Sequence, residues 1–185
     1  LSELYLLPAA QTRDKTAVSP EDMTALCNQM RNDFDYILID SPAGIEQGFR
    51  NALVPADRVL IVTTPEVSAV RDADRIIGLT EAAEKDPPQL IINRIRRDMV
   101  DRGDMLSTVD IIEILAIDLL GIVPDAEEII ISTNRGMPVA FENNSLAGVA
   151  FRNIARRIEG EDVPFLTLRE SGGFLKRLVK FIRQT

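Results

Sequence analysis

Five short aliphatic runs, Leu4 to Leu7, Tyr36 to Asp40, Arg58 to Thr63, Gln89 to Ile95 and Leu119 to Val123, alternate with stretches of helical period. Runs this short and this uniformly apolar are buried on both faces, which requires helices on both sides of a mainly parallel sheet. An α/β fold is predicted. Ser19-Pro20-Glu21-Asp22 supplies a capping serine, a proline at the first helical position and acidic first-turn residues, opening a helix to about Asn32. Ser107-Thr108-Val109-Asp110 repeats the signal for a helix to Ile117, and further helices are expected over Val67 to Lys85 and Ser145 to Ile158. The chain opens on Leu1 with an apparent interior strand close behind, so a further segment is expected upstream.

The 185 residues are enough for one domain with a sizeable core, and 45% hydrophobic content excludes disorder as the main state. With one cysteine and no histidine, disulfides, serine triads, thiolate-imidazole pairs and nearly all zinc sites are ruled out. Cys27 shares helical spacing with Met23, Leu26 and Met30, which reads as a small buried hydrophobe rather than a reactive thiol.

Charge is distributed unevenly. The last fourteen residues, GGFLKRLVKFIRQT, hold four basic side chains and no acidic one. Removing those four leaves 17 Lys and Arg against 29 Asp and Glu, a body charge of −12. An acidic body is repelled by phosphate backbones, so no nucleic acid partner is expected. At about 100° per residue, Phe174, Leu175, Leu178, Val179, Phe181 and Ile182 fall on one arc of the tail. Lys176, Arg177, Lys180 and Arg183 fall opposite. Two phenylalanines, a purely cationic polar face and a Gly172-Gly173 hinge favour an interfacial membrane helix over a packed terminal one. No apolar run approaches the roughly 18 residues that span a bilayer, so membrane contact is peripheral.

Tyr36-Ile37-Leu38-Ile39-Asp40 has the shape of a Walker B strand, whose terminal aspartate reaches Mg²⁺ through a water at the carboxyl end of an α/β sheet. An aspartate there equally caps a following helix. Asn93-Arg94 closes the Leu90-Ile91-Ile92 run, so it is expected at the same sheet edge as Asp40, and Pro124-Asp125 follows Gly121-Ile122-Val123. Amides and backbone groups at strand ends suit the hydrogen-bonding edge of a purine, or simply form turns. No G-x-x-x-x-G-K-[ST] motif or other glycine-rich strand-to-helix loop occurs, so nothing in this stretch cradles phosphates.

Five motifs in one order, DSPAGIE at Asp40 to Glu46, NRI at Asn93 to Ile95, RGDMLSTVDIIEIL at Arg102 to Leu115, GIVPD at Gly121 to Asp125 and GGFLKRL at Gly172 to Leu178, resemble the MinD family. That family belongs to the deviant Walker A ATPases, which also include ParA and the nitrogenase iron protein. The resemblance covers essentially the whole chain and implies a P-loop NTPase-like parallel sheet flanked by helices, without its N-terminal P-loop unit.

It further implies a membrane-cycling ATPase that places the division septum. ATP and Mg²⁺ would drive a homodimer that docks on the inner face of the cell membrane, or a plastid equivalent, recruits a MinC-like inhibitor and is released by a MinE-like topological factor. By the same resemblance, Asp40 would orient the Mg²⁺ shell and attacking water. Pro42, Ala43 and Gly44 would form a nucleotide-sensing switch. Asn93 would contact adenine, beside Arg94 and with the Pro124-Asp125 backbone assisting. The implied layout is an ATPase portion over 1–163, a linker over 164–171 and a membrane helix over 172–185. A non-catalytic membrane adaptor without a P-loop is the alternative.

Overall fold

A computed structural model describes residues 4–8, 18–42 and 44–166. The described chain forms two compact units, Leu1–Val59 with Ile76–Pro88, and Leu60–Arg75 with Gln89–Thr185.

In the first unit, α1 (Pro20–Met30) begins as its sequence dictates: the Ser19 hydroxyl accepts from the Asp22 N–H at 3.1 Å and the Asp22 carboxylate accepts from the Ser19 N–H at 3.0 Å. Two orphan donors of the first turn are thereby satisfied. Cys27 is 4% exposed on the inner face of this helix, as its spacing required. A short helix the sequence did not announce, α2 (Gln47–Leu53), follows. The Lys85 ammonium donates to Val54 O at 2.8 Å and to Ala56 O at 2.9 Å, neutralising the carbonyls left over at the end of α2.

Two predicted strands of this unit do not form. Leu4 to Leu7 and Tyr36 to Asp40 are irregular, and Leu6 and Leu38 stand 88% and 84% exposed. An aliphatic run becomes a parallel strand only where ladder partners and covering helices take up its backbone and both faces, and the described sheet does not extend to either run. Asp40 therefore ends no strand, which removes the shared sheet edge expected for Asp40 and Asn93.

The second unit holds that sheet: β1 (Leu60–Thr63), β2 (Gln89–Ile95) and β3 (Asp118–Pro124), parallel and in the order β1-β2-β3. β1 starts two residues later than expected, at Leu60. The crossovers are α3 (Val67–Ala82) between β1 and β2, and α4 (Arg97–Arg102) with α5 (Thr108–Leu115) between β2 and β3. After β3 come α6 (Glu127–Asn134), a 3₁₀ turn at Val139–Phe141, and α7 (Leu146–Ile158). Of these, α4, α6 and the 3₁₀ turn were not foreseen. Their polar or short sequences carry too little period to register.

Central β2 is buried on both faces, with Leu90 and Ile92 at 0% exposure and Ile91 at 9%. Ile91 faces α7 in a cluster with Leu120, Val123, Ala150 and Ile154. Gly121 permits the close fit of α7 on β3, because a Cβ there would lie 2.2 Å from Ile154 Cγ1 and 2.6 Å from its Cδ1. Gly121→Ala is accordingly expected to overpack this layer and to lower stability by about 1–3 kcal/mol, read as a reduced urea midpoint at unchanged slope.

Candidate functional site

The carboxyl ends of β2 and β3 gather four of the residues singled out in the sequence. Ile92 pairs with Ile122 and Ile95 with Pro124, with an irregularity between the two pairs. Asn93 and Arg94 occupy that irregularity. Arg94 takes the left-handed conformation at φ 58°, and the Asn93 Oδ1 holds it there by accepting the Arg94 N–H at 2.9 Å. A non-glycine residue in this region stores strain, which concentrates where a site constrains the backbone. Across the gap the Asp125 N–H donates to Ile95 O at 3.0 Å, and the Asp125 carboxylate stands 3.5 Å from Arg94 Nε.

Beside this corner opens a cavity of about 640 Å³. Arg94 and Asp125 border it on one side and the segment after β1, Pro65-Glu66-Val67, on another. α4, through Met99, and the turn from it into α5, through Met105 and Leu106, close it. That turn is fastened to the strand ends: the Leu106 N–H donates to Pro65 O at 3.3 Å and the Arg96 N–H donates to Met105 Sδ at 3.3 Å. Gly103, left-handed at φ 76°, ends α4 and makes the turn possible. The result is an apolar wall of proline, valine and methionine rimmed by both signs of charge, a lining suited to a flat polar ring system. The sequence reading missed this wall. The rule that identified Asn93 and Pro124, ligands at the carboxyl ends of parallel strands, also points to Pro65-Glu66, since the sequence already ended that run at Thr63.

Asp40, Pro42 and Gly44 belong to the first unit. Asp40 and Pro42 are exposed. The Pro42 ring lies against Gly48 of α2, where a Cβ would meet its Cγ at 2.5 Å, and Gly44 has φ 101°, a conformation only glycine adopts without penalty. Ala43 lies outside the described residues, as does the whole 172–185 stretch, on which the expected membrane face of Phe174 to Arg183 falls. Among the described residues no group of three or more His, Cys, Asp or Glu side chains is placed to hold a metal ion. No described helix is long and apolar enough to cross a membrane.

Comparison with known proteins decides the family. The model of an AAA domain matches residues 2–92, a stretch that includes Asp40. The septum site-determining protein MinD of Bacillus subtilis is 51% identical over 180 residues, 96% of this chain and 67% of that protein. The chain belongs to the MinD family. Synechocystis MinD is 56% identical over 90% of this chain and 63% of its own length. Among solved structures, the MinC:MinD cell division protein complex of Aquifex aeolicus aligns with a TM-score of 0.77 at 44% identity, covering 81% of this chain and 63% of that one. The P-loop NTPase-like α/β class follows from this likeness and from the parallel sheet. The chain spans about two thirds of the length of the curated MinD relatives it matches.

At the cavity rim, the Ser107 hydroxyl and N–H hold the Asp110 carboxyl below its ordinary value. A carboxylate whose folded value is depressed contributes stability above the unfolded value and loses it as pH falls through the folded one. Asp22, held by the Ser19 N–H and hydroxyl, behaves likewise. Urea unfolding between about pH 5 and about pH 2 is expected to show a steeper acid loss for the native chain than for Asp110→Asn, which keeps an acceptor but does not titrate.

Proposed function

We propose that this chain is the carboxyl-terminal portion of a membrane-cycling MinD-type ATPase that acts in placement of the division septum. The observation that carries the reading is the convergence of Asn93, Arg94, Pro124 and Asp125 on one sheet corner beside an apolar cavity, in a chain similar to MinD over 96% of its length. Such a corner suits a purine: the Asn93 Oδ1 is occupied by the Arg94 N–H, which leaves its Nδ2 as a donor toward ring nitrogens. Backbone carbonyls and the Asp125 carboxylate are acceptors for an exocyclic amine. The base end of ATP thus fits the residues present, whereas its phosphates have no cradle in this sequence.

For Mg²⁺ the donor set is a single exposed carboxylate, Asp40. One carboxylate matches a cation that keeps several waters and otherwise binds phosphate oxygens. When bound, Mg²⁺ would neutralise charge on the transferred phosphoryl group. Asp40 would orient its water shell, and Pro42 to Gly44, turning at a glycine with φ 101°, would form the switch that senses nucleotide.

The membrane helix assigned to 172–185 would act through two copies. Burying three or four large apolar side chains at about 1.5–3 kcal/mol each barely offsets ordering about ten residues at about 1–2 kcal/mol each. Basic residues add about 1 kcal/mol apiece near an anionic surface. One tail therefore binds weakly, and an ATP-dependent homodimer gains by avidity. The Aquifex complex, titled as MinC:MinD, supports a MinC-like inhibitor as partner. A MinE-like factor acting in release completes the cycle.

The test uses the chain joined to a family P-loop segment. Asp40→Ala is expected to lower ATP turnover about 10–100-fold, the usual cost of losing a residue that orients a metal shell. Asn93→Ala is expected to weaken ATP binding about tenfold, the equivalent of one hydrogen bond of about 1.4 kcal/mol. Unchanged turnover in Asp40→Ala, or no ATP binding by the parent, would return the chain to the adaptor reading. Separately, deletion of residues 172–185 or Phe181→Glu is expected to abolish sedimentation with anionic vesicles, while raised salt only weakens it.

A further inference from the structure

Between the exposed Asp40 and α2 the chain makes a contact that leaves no room for an added atom. The Pro42 ring lies over Gly48, where a Cβ would stand 2.5 Å from the ring's Cγ and 3.4 Å from its Cδ. Ordinary contact between carbons needs about 3.5 Å or more, so an alanine at 48 would displace the ring by about 1 Å. A flexible side chain would swing aside at little cost. A proline ring is closed onto its own backbone nitrogen and cannot, so the displacement passes into the main chain. Gly48 is not among the glycines with positive φ and sits inside a helix, where glycine is less stable than alanine. Space for the ring, not backbone freedom, is what this glycine supplies.

Both sides of the contact are stiff. Phe49 and Leu53, 9% and 7% exposed, anchor α2, and the Asn51 Nδ2 donates to Val18 O at 2.7 Å. On the other side, proline fixes its own φ at about −65° and confines Ser41 before it to extended backbone. The stretch from Asp40 to Pro42 thereby loses much of its freedom, and a shift of the ring is carried back to the Asp40 carboxylate.

We propose that Gly48 is a positioning residue for Asp40: its bare backbone seats the Pro42 ring, and that seat sets where the Asp40 carboxylate stands relative to α2. The inference rests on the reading of Asp40 as the residue that orients the Mg²⁺ shell. A misplacement of about 1 Å among groups that orient a reaction costs up to about 100-fold in rate. Asp40 is assigned to the metal shell and not to the base, so loss of the seat lowers kcat without a matching loss of ATP affinity.

Two readouts separate this role from packing alone. In the 185-residue chain itself, Ser41→Cys takes a trifluoroethyl label for ¹⁹F NMR, while Cys27, 4% exposed, stays unlabelled. Gly48→Ala is expected to shift the label's resonance when Pro42 is present and to leave it in place in a Pro42→Ala background. In the chain joined to a family P-loop segment, Gly48→Ala is expected to lower kcat about 10–100-fold at unchanged ATP affinity. The same substitution is expected to cost nothing more when Asp40→Ala is already present, because residues acting through one group are not additive. Pro42→Ala, which removes the ring and leaves α2 intact, is expected to give a similar loss of kcat, and it decides the role if Gly48→Ala does not fold. An unmoved resonance, an unchanged kcat, or an equal loss with and without the Asp40 carboxylate overturns the inference alone when the parent turns over ATP and Asp40→Ala is impaired. A parent that does not turn over ATP, or that is indifferent to Asp40→Ala, overturns the ATPase reading and this inference with it.

Discussion

Burial of β2 on both faces is the constraint from which the sheet-bearing unit follows. Leu90 and Ile92 are fully enclosed and Ile91 nearly so, and three successive residues of a strand are enclosed only when both faces carry cover. That condition demands a neighbouring strand on each edge and a crossover long enough to return parallel, which α3 and the α4–α5 pair supply. Approach of α7 to the same core then depends on Gly121, where the absence of a Cβ admits Ile154.

Parallel strands that share such a core also end together, which makes their carboxyl edge a candidate site. There the ladder can be interrupted at low cost, and the interruption at Asn93-Arg94 tips Arg94 into a left-handed turn facing Asp125. The loop from Gly103 to Leu106 is joined to the same edge by one carbonyl and one thioether, which ties the cavity wall to the strand ends. The exposed ion pairs around α4, Arg96–Asp98, Arg102–Asp98 and Arg102–Asp104, decorate this wall without holding it, because exposed pairs contribute about 0–1 kcal/mol.

Much of this was legible before any coordinates, because the relevant signals are local. The Ser19 and Ser107 capping boxes were written in four-residue motifs and formed as read. So were β2, β3 and the buried setting of Cys27. Local signals also placed Asn93-Arg94 and Pro124-Asp125 at strand ends. What failed was the assignment of Leu4 to Leu7 and Tyr36 to Asp40 as strands. Their composition is as strand-like as that of β1, but β structure is completed by neighbours far along the chain, and composition does not say whether those neighbours are in place. The cavity wall escaped for a related reason: Met99, Met105 and Leu106 have no pattern of their own and meet Pro65 only after three strands have been aligned.

The sequence by itself determined the α/β class, the family, the capped starts of α1 and α5 and the separation of an acidic body from a cationic tail, since each is encoded in residue order or in charge. Only the tertiary structure decided that Asn93, Arg94, Pro65 and Asp125 share one corner, that Tyr36 to Asp40 is not paired into the sheet, and that Lys85 reaches Val54 and Ala56. Those facts depend on long-range pairing and on side-chain reach across elements, which no local pattern records.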